Sequence, residues 1–162
     1  MSELQHCVEQ FLYHKAELCD QQNWDAYIAL FDEQSEFHLP QWESEHVYTT
    51  DPKRGMSLIY YSNRSGLEDR VFRLRTGKSA ASTPLPRTLH QISNVRINTL
   101  DNGQLEVKAG WVTLYTRQGL SEQFYGHATY HLKAVADSWK ITRKHIVLLN
   151  DTINSVLDFY HL

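Results

Sequence analysis

The sequence holds 162 residues, 41% hydrophobic and 22% charged, with a formal net charge of −3 and a pI near 6.3. That is ordinary globular usage, so a wholly disordered or collagen-like chain is excluded, and the length predicts one domain, residues 1–162, with room for a single core. The weakly acidic balance lacks the basic patch that phosphate-driven nucleic-acid binding needs, and no run of about 18 apolar residues is present to span a membrane.

The chain opens Met1-Ser2-Glu3-Leu4-Gln5-His6, with no basic stretch followed by an apolar one, so a cytoplasmic location is expected. From Leu4, apolar residues recur at Cys7, Val8, Phe11, Leu12, Leu18 and Cys19, which predicts a helix with one inward stripe. Cys7 falls on that stripe and is read as a small buried hydrophobe. Gln21-Gln22-Asn23 interrupts it, and Asn23 is placed to cap a second helix carrying Trp24, Tyr27, Ile28 and Phe31. Ser35–Pro40 reads as a short extended segment, and Gln41–Arg54 as a long surface loop. Ser57–Tyr61 is apolar and aromatic. Ser65-Gly66-Leu67-Glu68 has the spacing of a capping box, starting a helix that Thr76-Gly77 ends. Lys78–Pro86 predicts an irregular crossing.

The period then changes from 3.6 to 2. Leu105, Val107, Ala109, Trp111, Thr113 and Tyr115 alternate with polar neighbours, as do Phe124, Ala128, Tyr130, Leu132 and Ala134. Trp139–Leu149 and Leu89–Thr99 complete four long strands, with turns at Asp101-Asn102-Gly103, Gln118-Gly119 and Ala136-Asp137-Ser138. Helices first and strands after predict an α+β fold: N-terminal helices packed on a curved antiparallel sheet, forming a cone that suits a small-ligand pocket or a platform for another subunit.

The chemistry is mostly negative. No phosphate loop, nucleophile elbow or zinc-protease motif occurs. His127 and His131 sit four apart on a strand, about 13 Å, too far to share one ion. His38, His90, Asp25 and Asp32 are the acid–base candidates. The basic set Arg70, Arg73, Arg75, Lys78 and Arg87 reads either as a solvated face or as a docking surface, since arginine is enriched at interfaces. The surplus of aromatics, Tyr60, Tyr61, Tyr115, Tyr125 and Trp111 among them, fits a subunit contact as well as a core.

Several blocks resemble a known family. Asn23–Phe31 followed by Phe37-His38-Leu39-Pro40, Leu67–Gly77, Thr83–Thr88 leading to Ser93-Asn94-Val95, and Trp139–Lys144 through Val147–Asp151 resemble the small (β) subunits of aromatic-ring-hydroxylating dioxygenases. Gly55–Tyr61 and Val156–His161 are most similar to the anthranilate and benzoate 1,2-dioxygenase branch. The resemblance implies a nuclear-transport-factor-2-like cone. It implies a noncatalytic structural subunit, with no catalytic, cofactor or metal residue in this chain. The Rieske [2Fe–2S] cluster and mononuclear Fe(II) would belong to a large (α) subunit, in an α3β3 assembly served by a separate reductase with FAD, [2Fe–2S] and NADH. The implied reaction is dihydroxylation of an aromatic carboxylate with O2, anthranilate giving catechol. Arg70, Arg73, Arg87, Asn94, Tyr60 and Tyr61 are the subunit-interface candidates it suggests. Two other readings stand beside it: a stand-alone isomerase or dehydratase of the same fold using a His/Asp pair, and a small-ligand binding module.

Overall fold

The computed structural model describes residues 2–53, 55–78 and 82–162. Helix α1, Glu3–Asp20, starts at Ser2, whose hydroxyl accepts from the Gln5 amide at 3.1 Å. Its buried face is Val8, Phe11, Leu12, Lys15, Ala16, Leu18 and Cys19, the spacing of one stripe on a 3.6-residue period. Cys7 lies off that face and is exposed, contrary to the expectation of a buried thiol. The reason is angular: Val8 and Phe11 set the stripe, and Cys7 falls at its flank. Asn23 precedes α2, Trp24–Ala29, in the cap position, but its side chain caps nothing.

Phe31 does not continue α2; it opens β1, Phe31–Pro40, so the extended segment is longer than predicted. β2, Ser57–Tyr61, pairs with it antiparallel. The segment between them carries no long element, as expected, with Trp42 bridging Tyr48 and its indole N–H donating to the Leu148 carbonyl at 2.7 Å. Its predicted end, Arg54, lies outside the described residues. Helix α3, Ser65–Thr76, does not use the predicted box. Ser65 is its first turn, Asn63 Oδ1 accepts from the Ser65 amide, and Glu68 pairs with Arg64 instead. Gly77 ends it at φ +68°, a left-handed position that glycine adopts without steric cost. Residues 79–81 of the predicted crossing lie outside the described residues.

β3 (Arg87–Thr99), β4 (Leu105–Arg117), β5 (Leu120–Val135) and β6 (Ser138–Leu148) form the expected antiparallel meander. The sheet order is β2-β1-β6-β5-β4-β3, and β1 joins β6 in parallel, which local periodicity does not announce. Two of the sheet's register shifts lie in the meander and bend it. In β3, Asn94 at φ +55° interrupts pairing between Ser93 and Arg96 and turns Val95 inward. In β6, the shift opposite His131/Leu132 puts Ile141, Lys144, Ile146 and Leu148 all on the buried face. Bulges of this kind add twist and curl a sheet. α1 lies along β3, and the concave face closes around one core running from Val8 and Leu12 through Phe37, Tyr130 and Leu132 to Phe159. The result is the α+β cone.

Candidate functional site

Three of the six predicted interface residues meet at the lip of the cone. β2 supplies Tyr60 and Tyr61, α3 supplies Arg70, and residues 156–158 of the final segment close a cavity of about 370 Å³ between them. The Arg70 guanidinium is ion-paired with the Asp158 carboxylate, which is buried. That pairing holds Arg70 above its ordinary value. The Tyr60 hydroxyl donates to Glu36 at 3.1 Å, and Glu36 also pairs with Arg143 at 3.1 Å. Tyr61 packs its ring on Phe37 at 5.8 Å, and Gly66 runs so close beneath it that a Cβ there would lie 2.3 Å from the ring. At this lip Leu58 is 42% and Val156 74% exposed, an apolar rim on an otherwise ordinary surface.

The other three candidates lie apart from the lip cavity. Arg73 is exposed on α3, and Arg87 begins β3 on the opposite sheet edge. Asn94 is the left-handed residue of the β3 bulge, a conformation asparagine tolerates better than most residues.

The four acid–base candidates do not converge. Asp25 pairs with Arg75 at 2.9 Å, Asp32 with Lys133 at 2.8 Å, and His38 shares a 2.9 Å hydrogen bond with the Ser57 hydroxyl. His90 does face a carboxylate, but it is Asp20, the last residue of α1, which sequence reasoning missed. His90 Nδ1 lies 2.5 Å from Asp20 Oδ1 and Nε2 lies 4.0 Å from Cys19 Sγ, beside a cavity of about 690 Å³ lined also by Tyr13, Ile92 and Val112. Asp20 additionally accepts from the His90 amide and the Thr88 hydroxyl. Its oxygens are thus filled by strand β3, and the pair staples the end of α1 to the sheet edge. His127 and His131 stand on β5 as expected, His131 3.7 Å from Glu106.

No group of three or more His, Cys, Asp or Glu side chains among the described residues is arranged to hold a metal ion. A Rieske cluster asks for two cysteines and two histidines in close pairs. Cys7 and Cys19 are separated by about 18 Å of helix, and Cys19 Sγ lies near a single histidine, His90, among the described residues, so these residues do not fit the group.

Two histidines make the fold acid-sensitive. Burial, then Arg143 and His38, pushes His145 down to about 4, and burial pushes His161 down to about 4. Both stay neutral in the folded chain, while unfolded histidine takes a proton below about 6.5. The share of stability that these two histidines control is therefore whole above pH 6.5 and is lost as pH falls toward 4. With His145 discounted for its exposure, urea unfolding at pH 5 is expected to read about 2–3 kcal/mol less than at pH 7 from these two groups. His145→Gln should shrink that difference; an unchanged pH dependence in the variant sinks the assignment.

Comparison with known proteins adds the following. The family model described as "Ring hydroxylating beta subunit" matches residues 14–155. The anthranilate 1,2-dioxygenase small subunit of Acinetobacter baylyi is 62% identical over 160 residues, 99% of this chain and 98% of that one. The solved beta subunit of the benzoate 1,2-dioxygenase from Burkholderia mallei is 35% identical, with a TM-score of 0.79 covering 96% of this chain and 95% of that chain. A chain of naphthalene 1,2-dioxygenase superposes with a TM-score of 0.81 over 96% of this chain and 83% of its own; at 20% identity it supports the fold alone.

Proposed function

The chain belongs to the ring-hydroxylating dioxygenase beta-subunit family, and from that membership we propose that it is the noncatalytic small subunit of an anthranilate 1,2-dioxygenase. The observation that carries the reading is the 62% identity spanning 98% of the anthranilate enzyme's small subunit. Benzoate 1,2-dioxygenase is the runner-up, from a relative in the same organism at 39% identity. In this reading a large subunit holds the Rieske cluster and mononuclear iron and binds the aromatic acid. Three copies of each subunit assemble in the cytoplasm, and a flavin and iron–sulfur reductase supplies electrons from NADH. Arg70, Arg73, Arg87, Asn94, Tyr60 and Tyr61 belong to the contact with that partner. The apolar rim of Leu58 and Val156 beside Arg70 and Tyr61 supports such a contact, since arginine and aromatic residues are enriched at interfaces.

The experiment is co-expression with the neighbouring large oxygenase subunit and its reductase. The assembled complex is expected to oxidise NADH in the presence of anthranilate and O2, and this chain alone to show neither turnover nor iron–sulfur absorption. Purification as a stable monomer that never retains a larger partner overturns the reading. One observation favours a stand-alone acid–base enzyme, namely His90 against Asp20 beside a cavity. Under that alternative His90→Ala abolishes turnover by the isolated chain.

A further inference from the structure

The mouth of the cone is filled by the chain itself. After β6 the backbone leaves the sheet, runs through residues 149–158 without a regular element, and turns inward at Phe159–His161. Phe159, Tyr160, His161 and Leu162 are all 4% exposed or less. Phe159 packs on Trp24 at 5.3 Å and on Tyr27 at 5.7 Å. The His161 imidazole lies flat on Tyr115 at 4.8 Å and edge-on to Phe124 at 5.0 Å. Farther in, Lys144 Nζ donates to the main-chain oxygen of Leu162 at 3.3 Å.

The surroundings are unusual for a core. Lys144 is 1% and Lys15 2% exposed, and their ammonium groups lie 5.8 and 5.4 Å from the centroid of the same Tyr130 ring. Among the described residues neither is ion-paired to a carboxylate side chain, although buried lysines are ordinarily paired. The Tyr27 hydroxyl, the Thr113 hydroxyl and His161 Nε2 are buried there with no hydrogen-bond partner. Buried polar atoms are nearly always satisfied, so three orphans and two buried lysines without a carboxylate side chain in one interior mark a polar site that the chain's own segment fills imperfectly.

We propose that Asp158–Leu162 is a built-in plug over a latent ligand site, and that this site takes a small planar aromatic ring bearing a carboxylate. The ring replaces the plug's rings against Tyr115, Phe124, Trp24 and Tyr27. The carboxylate takes the place of the Leu162 oxygen on Lys144, with Lys15 beside it. Burial and the neighbouring Lys15 hold Lys144 well below the usual lysine value, a penalty that an anion relieves. The plug is latched at the lip by the Arg70–Asp158 ion pair and by the Ser82 and Tyr160 hydroxyls at 2.9 Å. The site lies in this chain, and the proposal does not depend on the oxygenase reading.

The test uses the full chain, without partner, and benzoate as probe. Arg70→Met opens the latch and is expected to tighten benzoate binding at least tenfold over the unsubstituted chain, measured calorimetrically. Adding Lys144→Met should cancel the gain, and benzyl alcohol should gain nothing. Equal binding of benzoate before and after Arg70→Met, retention of the gain without Lys144, or equal gain for benzyl alcohol overturns the proposal. Should Arg70→Met fail to fold, hydrogen exchange on the unsubstituted chain decides. The Phe159, His161 and Leu162 amides are expected to exchange at least fivefold faster in saturating benzoate than in the same concentration of sodium chloride. Unchanged or slower exchange overturns the proposal.

Discussion

Gly126→Ala is expected to remove most of the soluble chain, or to lower its unfolding free energy by about 3 kcal/mol or more. Gly126 sits in β5 opposite Leu148 of β6 and Trp111 of β4. A Cβ built there would lie 1.8 Å from the Val147 carbonyl oxygen and 2.9 Å from its carbon. Both atoms are backbone, at the last paired residues of the β5–β6 ladder, so no rotamer change relieves the clash and the end of that pairing must open. Gly110→Ala is the internal comparison. Its Cβ would meet the Ser93 hydroxyl at 3.2 Å, a side chain that can rotate away, and the expected cost is under about 1 kcal/mol. Urea midpoints and soluble yield read both. A Gly126→Ala chain as stable as the Gly110→Ala chain contradicts the argument.

Asp20→Ala is expected to cost about 3 kcal/mol, because it strips a side-chain 5% exposed imidazole of its carboxylate and frees the end of α1 from the sheet edge. The penalty depends on pH in a defined direction. Although burial works against it, His90 and Thr88 hold Asp20 below its ordinary 3.8. Against burial again, Cys19 and Asp20 hold His90 above 6.5. The Asp20 share of stability is present above pH 3.8 and lost as pH falls through its lowered value. The His90 share is present below pH 6.5 and lost as pH rises through its raised value. The substitution should therefore cost more at pH 5.5 than at pH 9. The same variant separates a staple from a catalytic dyad. As a staple, Asp20→Ala lowers stability but leaves the turnover of each assembled complex unchanged. A large fall in turnover by correctly assembled enzyme speaks for the acid–base alternative.

Much of the architecture was legible in local pattern. The stripe through Val8, Leu12 and Cys19 and the alternation from Val107 to Tyr115 and from Phe124 to Leu132 need only the helical and strand periods, so α1 and the four-strand meander followed directly. Gly77, Gly103 and Gly119 stand at positive φ where the helix end and turns were expected, because the same backbone rule that places glycine there can be read in reverse. The failures at Phe31 and Ser65 share one cause, which is competition with distant partners. Phe31 has helical spacing relative to Tyr27 and Ile28, but pairing beside Ile141 of β6 draws it into a strand. Ser65 was a sound local cap, yet Asn63 and Arg64 occupy that role because Arg64 is tied to the Phe31 carbonyl at 2.9 Å.

The site shows the same division. The family-like blocks, the scarcity and wide spacing of cysteines and the cluster of arginines on α3 are properties of the chain as written, and they sufficed to point to a small subunit with an α+β cone. What only the folded molecule decided is which charges meet. Asp20 meets His90 across 70 residues, Arg70 meets Asp158 across 88, and Lys144 comes to rest beside Lys15 beneath the final turn. Periodicity fixes which face of an element is apolar, because the backbone repeats every few residues. It carries no information about which face of another element lies opposite, and the two register shifts in β3 and β6, which turn Val95 and Lys144 inward, are set by that opposition alone.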